Sequence, residues 1–154
     1  MLIGIDCDLR ELTWVASNGV QFRDTIPQLG VTKLCALLAG LTIDETATIL
    51  FEIAGAVDYT DNKGAAHNKR RWTIYNVAMA QHIHETFQRG PRFRHHFLVA
   101  PSSAWTKGYP EKQRHKLFNC DGATHDLREC QAMIGAFKRD PSAWRQLPTY
   151  LESL

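Results

Sequence analysis

The sequence predicts an α/β protein with a mixed five-stranded sheet and helices on both faces. Three observations lead to that prediction: a buried strand at residues 2–7, a hairpin signal at Asn18-Gly19, and alternating helix and strand patterns after residue 30. A hairpin makes its two strands antiparallel, whereas strands joined through helices run parallel, so the sheet should be mixed. The length of 154 residues suits a single domain over residues 1–154.

The first half of the chain contains four predicted strands and one helix. Asn18-Gly19 is a strong turn signal because both residues tolerate positive φ, and it joins the second strand to the third. Apolar residues at helical spacing indicate the helix, and an almost continuous apolar run indicates a central fourth strand. The predicted strands are residues 2–7, 11–17, 20–26 and 47–53, and the helix is residues 31–40.

The second half contains a long loop, a fifth strand and four helical patterns. The loop is polar and Gly-rich, and loops of that length within a compact domain are usually functional. Gly90-Pro91 ends the long helix, and Pro101 ends the fifth strand. The predicted loop is residues 54–68, the strand is residues 96–100, and the helices are residues 70–88, 110–118, 123–138 and 141–154, the last broken near Pro148.

Charge by itself does not identify a partner, because the formal net charge is only +2. The distribution of charge is more informative. Three local clusters of basic residues are compatible with binding a phosphate backbone, although solvated loops and helix faces would look the same. These clusters lie within residues 63–71, 89–96 and 107–116.

The four cysteines and the absence of a membrane-length apolar run predict an intracellular protein with reduced thiols. Cys35 lies in an apolar helical pattern and is interpreted as a core residue. Cys120, His125 and Cys130 suggest zinc only weakly, since no CxxC pair and no obvious fourth ligand accompany them.

Four acidic residues occupy positions where a purely structural role is costly. Asp6 ends the first strand and Glu52 lies near the end of the fourth, so parallel neighbours would bring both carboxylates to one edge of the sheet. Asp126 and Glu129 are three residues apart on a helix and share a face. Clustered carboxylates repel one another unless a cation is present. The pattern therefore predicts two Mg²⁺ ions of the kind that promote phosphodiester cleavage.

Each of these residues also has a structural interpretation. An acid at a strand end, such as Asp6, is often a loop cap, and Asp126 is favoured by the macrodipole of a helix that starts there. Glu52 is harder to explain structurally, because an acid within Ile-Leu-Phe-Glu-Ile is unusual in a core strand. A basic side chain near the acids, Lys107 or Lys112, could stabilise charge on a phosphate.

The combination of these motifs resembles the RuvC-like Holliday junction resolvases of the ribonuclease H-like nuclease superfamily. It consists of Gly4-Ile5-Asp6 in a first strand, a hairpin, Glu52 in a fourth strand and a late acidic pair. The resemblance covers the order of elements over residues 2–137 and looks closest to phage, viral or organellar members. It implies a location in the cytoplasm, at a nucleoid, in a host cytoplasm or in an organelle.

The resemblance also implies an activity and a set of ligands. It implies a homodimeric crossover junction endodeoxyribonuclease of DNA recombination and repair, which cuts four-way junctions with Mg²⁺ or Mn²⁺. The acidic tetrad of the family falls on Asp6, Glu52, Asp126 and Glu129. The family commonly has Asp in the last position, so whether Glu129 or His125 is the fourth ligand stays open.

The segment after the second acid is the one that, in this family, forms the dimer contact and probes the junction centre. Here it runs from Tyr59 to Trp72. The helix over residues 70–88 supports a dimer, because its apolar residues are too widely spread for one core-facing stripe. The expected DNA-binding residues are Tyr59, Lys63, Lys69, Arg70, Arg71, Trp72 and Lys116.

Other functions fit parts of the same pattern. A nuclease of this fold could instead act on RNA–DNA hybrids or other branched DNA, and the scaffold could carry a non-catalytic nucleic-acid binder. Retention of all four acids argues against the non-catalytic alternative. A phosphotransferase of the actin and sugar-kinase type also begins with a Gly-Ile-Asp strand, but it needs two domains and Gly-rich phosphate loops that this chain lacks.

Overall fold

The computed structural model describes residues 1–8, 10–24, 26–42, 44–54, 59–60, 63–64, 66–67, 69–89 and 94–154. Strands and helices alternate along most of this length. The strands are β1 (Leu2–Cys7), β2 (Leu12–Ala16), β3 (Gln21–Asp24), β4 (Thr46–Ile53), β5 (Tyr59–Thr60), β6 (Ala66–His67), β7 (Arg94–Pro101) and β8 (Arg145–Gln146). The helices are α1 (Pro27–Ala39), α2 (Lys69–Arg89), α3 (Ser102–Trp105), α4 (Glu111–Leu117), α5 (His125–Arg139) and α6 (Leu147–Glu152), with a short 3₁₀ turn at Pro141–Ala143.

The main sheet is mixed and has the strand order β3-β2-β1-β4-β7-β8. β1, β2 and β3 are antiparallel neighbours, whereas β1, β4 and β7 run parallel. The predicted α/β class with a mixed sheet is therefore confirmed. The hairpin is also confirmed: Gly19 has φ +93°, and the Ala16 amide donates to the Val20 carbonyl at 2.8 Å.

The predicted number of strands was wrong, because the main sheet has six strands rather than five. The sixth, β8, lies where a terminal helix was expected over residues 141–154. Its two residues pair antiparallel with Leu98 and Val99 at the edge of β7, and so cover backbone groups that would otherwise be open. A two-residue strand is too short to produce a periodic pattern in the sequence. Helix α6 begins only after it, with Pro148 in its first turn.

Two other boundaries differ from the sequence-based expectation. The polar segment 54–68, expected to be a loop, contains the short antiparallel pair β5 and β6. Helix α1 begins at Pro27 rather than at residue 31, because proline fits the first turn, where no backbone donor is needed. The remaining predicted strands and helices are present, with ends that differ by at most two residues.

The sheet carries a separate apolar core on each face. One core packs β1, β4 and β7 against α1, α2 and α6, and its largest members include Ile3, Ile5, Phe51 and Phe97. The other packs the opposite face against α5 and contains Leu50, Cys130 and Met133. Alternate residues of each strand thus enter different cores, which explains the nearly continuous apolar sequence of β4.

Helix α5 lies very close to β1. A Cβ atom added at Gly4 would stand 2.5 Å from the backbone oxygen of Cys130, so only glycine permits this approach. Gly4 shares its sheet face with Asp6, two residues further on. The close contact therefore sets how near the start of α5, with Asp126, lies to the end of β1.

Candidate metal centre

Asp6 and Glu52 lie side by side at the carboxyl ends of two parallel strands. The register pairs Gly4 with Leu50 and Ile5 with Phe51, so the next residues along the two strands are the acids. Because side chains alternate across a strand, both carboxylates leave the sheet on the face that Gly4 and Leu50 share, towards α5. The structure therefore brings together the two strand-end acids predicted from the sequence.

A cleft of about 170 Å³ opens at these two carboxylates. Its walls come from the ends of β1 and β4 and from the first two turns of α2. The lining residues are Asp6, Cys7, Asp8, Glu52, Ala54, Trp72, Tyr75, Asn76 and Ser102. Three of these are acids and, among the side chains that the structure describes, none of the lining residues is Lys or Arg, so this lining is suited to a cation.

The Asp6 carboxyl is strongly destabilised in its charged form. Burial is the largest cause that raises its pKa well above the ordinary value, and repulsion from Glu52, Asp126, Asp8 and Glu129 follows in that order. Within the described part of the chain, no hydrogen bond or salt bridge to this carboxylate relieves the repulsion. A cation would do so, because it supplies the missing opposite charge.

Glu52 is oriented by a neighbouring tryptophan. The indole Nε1 of Trp105 donates to Glu52 Oε2 at 2.5 Å, and the Trp105 ring is itself buried under the Arg114 guanidinium at 5.4 Å from its centroid. A neutral donor on one oxygen holds the carboxylate in place without adding a positive charge beside it.

Asp126 lies in the first turn of α5, whose N-cap Thr124 accepts from the Leu127 amide at 3.2 Å. Oxygen atoms of Asp126, Asp8 and Glu11 all lie within 4.8 Å of one another. Asp8 also lines the cleft and so connects Asp126 to it, whereas Glu11 is paired with Arg23. Asp8 was not among the predicted ligands, although its position two residues after Asp6 was a signal for it.

The Glu129 carboxylate is paired with side chains of α4. It is only 5% exposed, and it forms a two-point ion pair with Arg114, whose Nη2 lies 2.6 Å from Oε1 and whose Nε lies 3.2 Å from Oε2. Nε2 of His115 lies 2.9 Å from the same Oε1 atom. Glu129 therefore affects Asp6 at a distance, and its own carboxylate already has cationic and imidazole partners.

The predicted catalytic lysines and the possible zinc ligands do not line the cleft. Lys107 and Lys112 are exposed, and neither lines the cleft. Cys120, His125 and Cys130 do not form a group with mutually close ligand atoms, in the part of the chain that is described. All four cysteines are free thiols, and Cys35 is half-buried against the core beneath α1.

The predicted DNA-binding residues are only partly described. Trp72 is 40% exposed and stands at the rim of the cleft, and Lys63, Arg71 and Lys116 are exposed. Lys116 lies on α4, beside a separate groove that it shares with Tyr109 and Arg139. The side chains of Tyr59, Lys69 and Arg70 lie outside the described residues.

A buried asparagine, missed in the sequence, joins the ends of the two strands that carry Asp6 and Glu52. Asn76 of α2 is 4% exposed; its Nδ2 donates to the Cys7 carbonyl at 2.6 Å and its Oδ1 accepts from the Ala54 amide at 2.9 Å. Thr73, one turn earlier, donates to the Ala54 carbonyl at 2.8 Å. Cys7 follows Asp6 and Ala54 follows Glu52 by two residues, so α2 holds both strand ends. In the sequence, the only sign of this role of Asn76 was a single asparagine among the apolar positions of the helix.

Comparison with known proteins adds no relative: neither a scan against protein-family models nor a search of curated proteins finds a match. Among the helices of the described residues, none has the length and apolarity needed to cross a bilayer.

Proposed function

We propose that this chain is a metal-dependent nuclease of the ribonuclease H-like, RuvC-type class, acting on four-way DNA junctions. The observation that carries the proposal is the pair of carboxylates, Asp6 and Glu52, at adjacent parallel strand ends, with Asp126 close enough to raise the pKa of Asp6. The mixed sheet, with a hairpin followed by parallel strands, is compatible with that class.

The donor set fits Mg²⁺ or Mn²⁺. Asp6, Glu52 and Asp126 would hold the ions, and Asp8 offers a further carboxylate oxygen; oxygen-only ligands suit these hard cations. Bound ions would supply an activated water and stabilise charge on the phosphate. Glu129 is not part of this set, because it does not line the cleft and its carboxylate is directed to Arg114 and His115 of α4.

The chain's own residues prepare this site in two ways. Trp105 fixes the direction of Glu52, and Asn76 ties the ends of β1 and β4 to α2, so the carboxylates are positioned before any ligand arrives. Trp72, half-exposed at the rim, could stack on an unpaired base, a contact worth about 1–3 kcal/mol. A junction centre offers such bases more readily than a continuous duplex does.

The proposed oligomer is a homodimer formed through α2. Trp72 and Ile74 are exposed on this helix, 40% and 63% respectively, while Ile83 and Phe87 are buried in the core. An isoleucine that is 63% exposed and a tryptophan that is 40% exposed on the same helix are a reason to expect a partner surface there. A two-fold dimer would present two clefts to the two strands cut in a junction.

The test is cleavage of labelled four-way junction, linear duplex and RNA–DNA hybrid, each with and without Mg²⁺. We expect cuts in the junction that need Mg²⁺ and that Asp6→Asn and Glu52→Gln abolish while both variants still bind the junction. Asp44→Asn and Glu152→Gln, which change exposed acids away from the cleft, are the matched controls and should cut normally.

Each of the other outcomes would lead to a different conclusion about substrate or mechanism. Preferential cutting of the hybrid would replace the junction substrate with RNA–DNA hybrid and keep the metal centre. Junction binding without cleavage under any metal condition would make the chain a non-catalytic binder. Wild-type cleavage by Asp6→Asn or Glu52→Gln would remove the metal centre from the mechanism.

A further inference from the structure

A second group of ligand atoms lies where α4 meets the start of α5, outside the acidic cleft. One ligand atom from each of His115, His125 and Glu129 lies within 4.8 Å of the other two. His115 comes from α4, and His125 and Glu129 are one turn apart on α5. None of the three lines the cleft at Asp6.

The distances in this group suit a tetrahedral metal ion. Bonds of about 2.0–2.1 Å to nitrogen or oxygen place tetrahedral ligands about 3.3 Å from one another. The His115 nitrogen lies 2.9 Å from Glu129 Oε1 and the His125 nitrogen lies 3.7 Å from it, so the two distances bracket that value. The longer distance is also too great for a hydrogen bond, so a shared proton does not explain why His125 faces Glu129.

An outer carboxylate prepares His125 for the same role. Glu111 Oε1 lies 3.2 Å from Nδ1 of His125. A carboxylate at Nδ1 favours the tautomer with the proton on that nitrogen and leaves the lone pair on Nε2 for a metal. Histidine ligands of metal ions usually have such an outer partner.

Arg114 competes with a metal ion for Glu129, because it already binds this carboxylate at two points. A carboxylate has about four lone-pair positions, and Arg114 uses one on each oxygen, so Oε1 keeps one, and the His115 nitrogen lies 2.9 Å from that oxygen. Glu111 adds a second negative charge near His125. With Arg114, the two carboxylates and a divalent ion, the cluster would carry a net charge of only +1.

We propose that His115, His125 and Glu129 form a binding site for Zn²⁺, with Glu111 in the outer shell and the fourth position open to water. Two imidazoles and one carboxylate select Zn²⁺ over Mg²⁺, which prefers oxygen ligands. The ion would join α4 to the first turn of α5 and so hold the neighbouring Asp126 in place. This site does not depend on the proposed nuclease activity.

The test uses the full chain after treatment with EDTA, titrated with Zn²⁺ by calorimetry and with Co²⁺ by visible absorption. We expect one tight Zn²⁺ site, a tetrahedral Co²⁺ spectrum, and no displacement by excess Mg²⁺. His125→Ala and His115→Gln should each weaken Zn²⁺ binding at least tenfold, and Glu111→Gln should weaken it less. The His125 side chain is 50% exposed, so its removal should not prevent folding.

Two control variants make the result specific. His82→Ala removes an exposed histidine of α2, and Asp6→Asn changes only the acidic cleft; both should keep wild-type Zn²⁺ affinity. Unchanged affinity in both the His125→Ala and His115→Gln proteins would overturn the site, as would loss of the tight site in Asp6→Asn. Neither readout measures cleavage, so failure here is distinct from failure of the nuclease proposal.

Discussion

Asp6 shows how a single buried carboxyl group can lower the stability of a fold. Its carboxylate is buried and is repelled by Glu52, Asp126 and Asp8, so its pKa is raised well above 3.8 in the folded protein. The unfolded chain therefore loses this proton at a lower pH than the folded chain does. A tenfold difference in that protonation equilibrium corresponds to about 1.4 kcal/mol of unfolding free energy.

The sign of the resulting pH dependence can be tested in metal-free protein. The contribution of Asp6 to stability is fully present below its unfolded pKa and is lost as pH rises through the raised folded pKa. We expect Asp6→Asn to remove this loss, and millimolar Mg²⁺ to reverse it in wild type by binding the charged form. Urea unfolding between pH 3 and pH 8, with and without Mg²⁺, measures both effects. A wild-type profile identical to that of Asp6→Asn would contradict the prediction.

Asn76 illustrates a residue that acts on the site through the backbone. Asn76→Ala leaves the Cys7 carbonyl and the Ala54 amide without their partner, at about 1–3 kcal/mol for each buried group. We expect a loss of unfolding free energy of about 2–4 kcal/mol, together with weaker Mg²⁺ binding, measured by urea unfolding and calorimetry. Gln81→Ala, at an exposed position of the same helix, is the matched control. An effect on stability with unchanged Mg²⁺ affinity would limit Asn76 to a structural role.

At the scale of elements, the site depends on how closely α5 approaches β1. Asp6 is part of the sheet and Asp126 is part of the helix, so the distance between them follows from the packing of the two elements. That packing is closest at Gly4, which lies against the Cys130 backbone. The Cys130 thiol is buried in this contact, and burial raises its pKa well above the ordinary value, so it behaves as an apolar packing group.

We therefore expect Gly4→Ala to displace α5. Its Cβ would stand 2.5 Å from a backbone oxygen that cannot move alone, and overpacking of this kind costs about 1–3 kcal/mol. Unfolding free energy and Mg²⁺ affinity should both fall, although no acid has been changed. Gly40→Ala is the control, because its nearest neighbour is at 3.4 Å and its φ is −81°, so alanine fits there. Equal stability of the two variants would mean that the helix adapts.

In the whole molecule, α2 contributes both to the apolar core and to the exposed surface. It supplies Ile83 and Phe87 to the core, Asn76 to the strand ends and Trp72 to the cleft, and it exposes Ile74, which does not line the cleft. A partner that covers Ile74 would bind the helix that also supplies Trp72 and Asn76 to the cleft. Dimerisation and substrate selection would then share one helix.

The expected dimer can be measured by sedimentation at micromolar concentration. Ile74→Glu should yield monomer, because a charge would be buried in the interface, while the unfolding of the monomer itself should change little for so exposed a residue. Lys33→Glu, at an exposed position of α1, should leave the dimer intact. A wild-type protein that sediments only as monomer would contradict the dimer and leave the cleft as a single site.

Sequence periodicity alone determined the elements that depend on local rules. The hairpin at Asn18-Gly19, the buried β4 and the helical face of α5 follow from turn chemistry and from apolar spacing, which act over a few residues. The same rules placed Asp6 and Glu52 at strand ends. They could not show β8, because two residues at a sheet edge leave no period.

Tertiary structure alone decided which acids meet and which are neutralised. Asp126 and Glu129 are equivalent by helical spacing, yet Asp126 faces Asp8 and Glu11 while Glu129 is held by Arg114 and His115. The difference arises from α4, which packs against one side of α5 and brings its cations there. Contacts between segments far apart in the chain set the charge around each carboxylate, and no local spacing in the sequence contains that information.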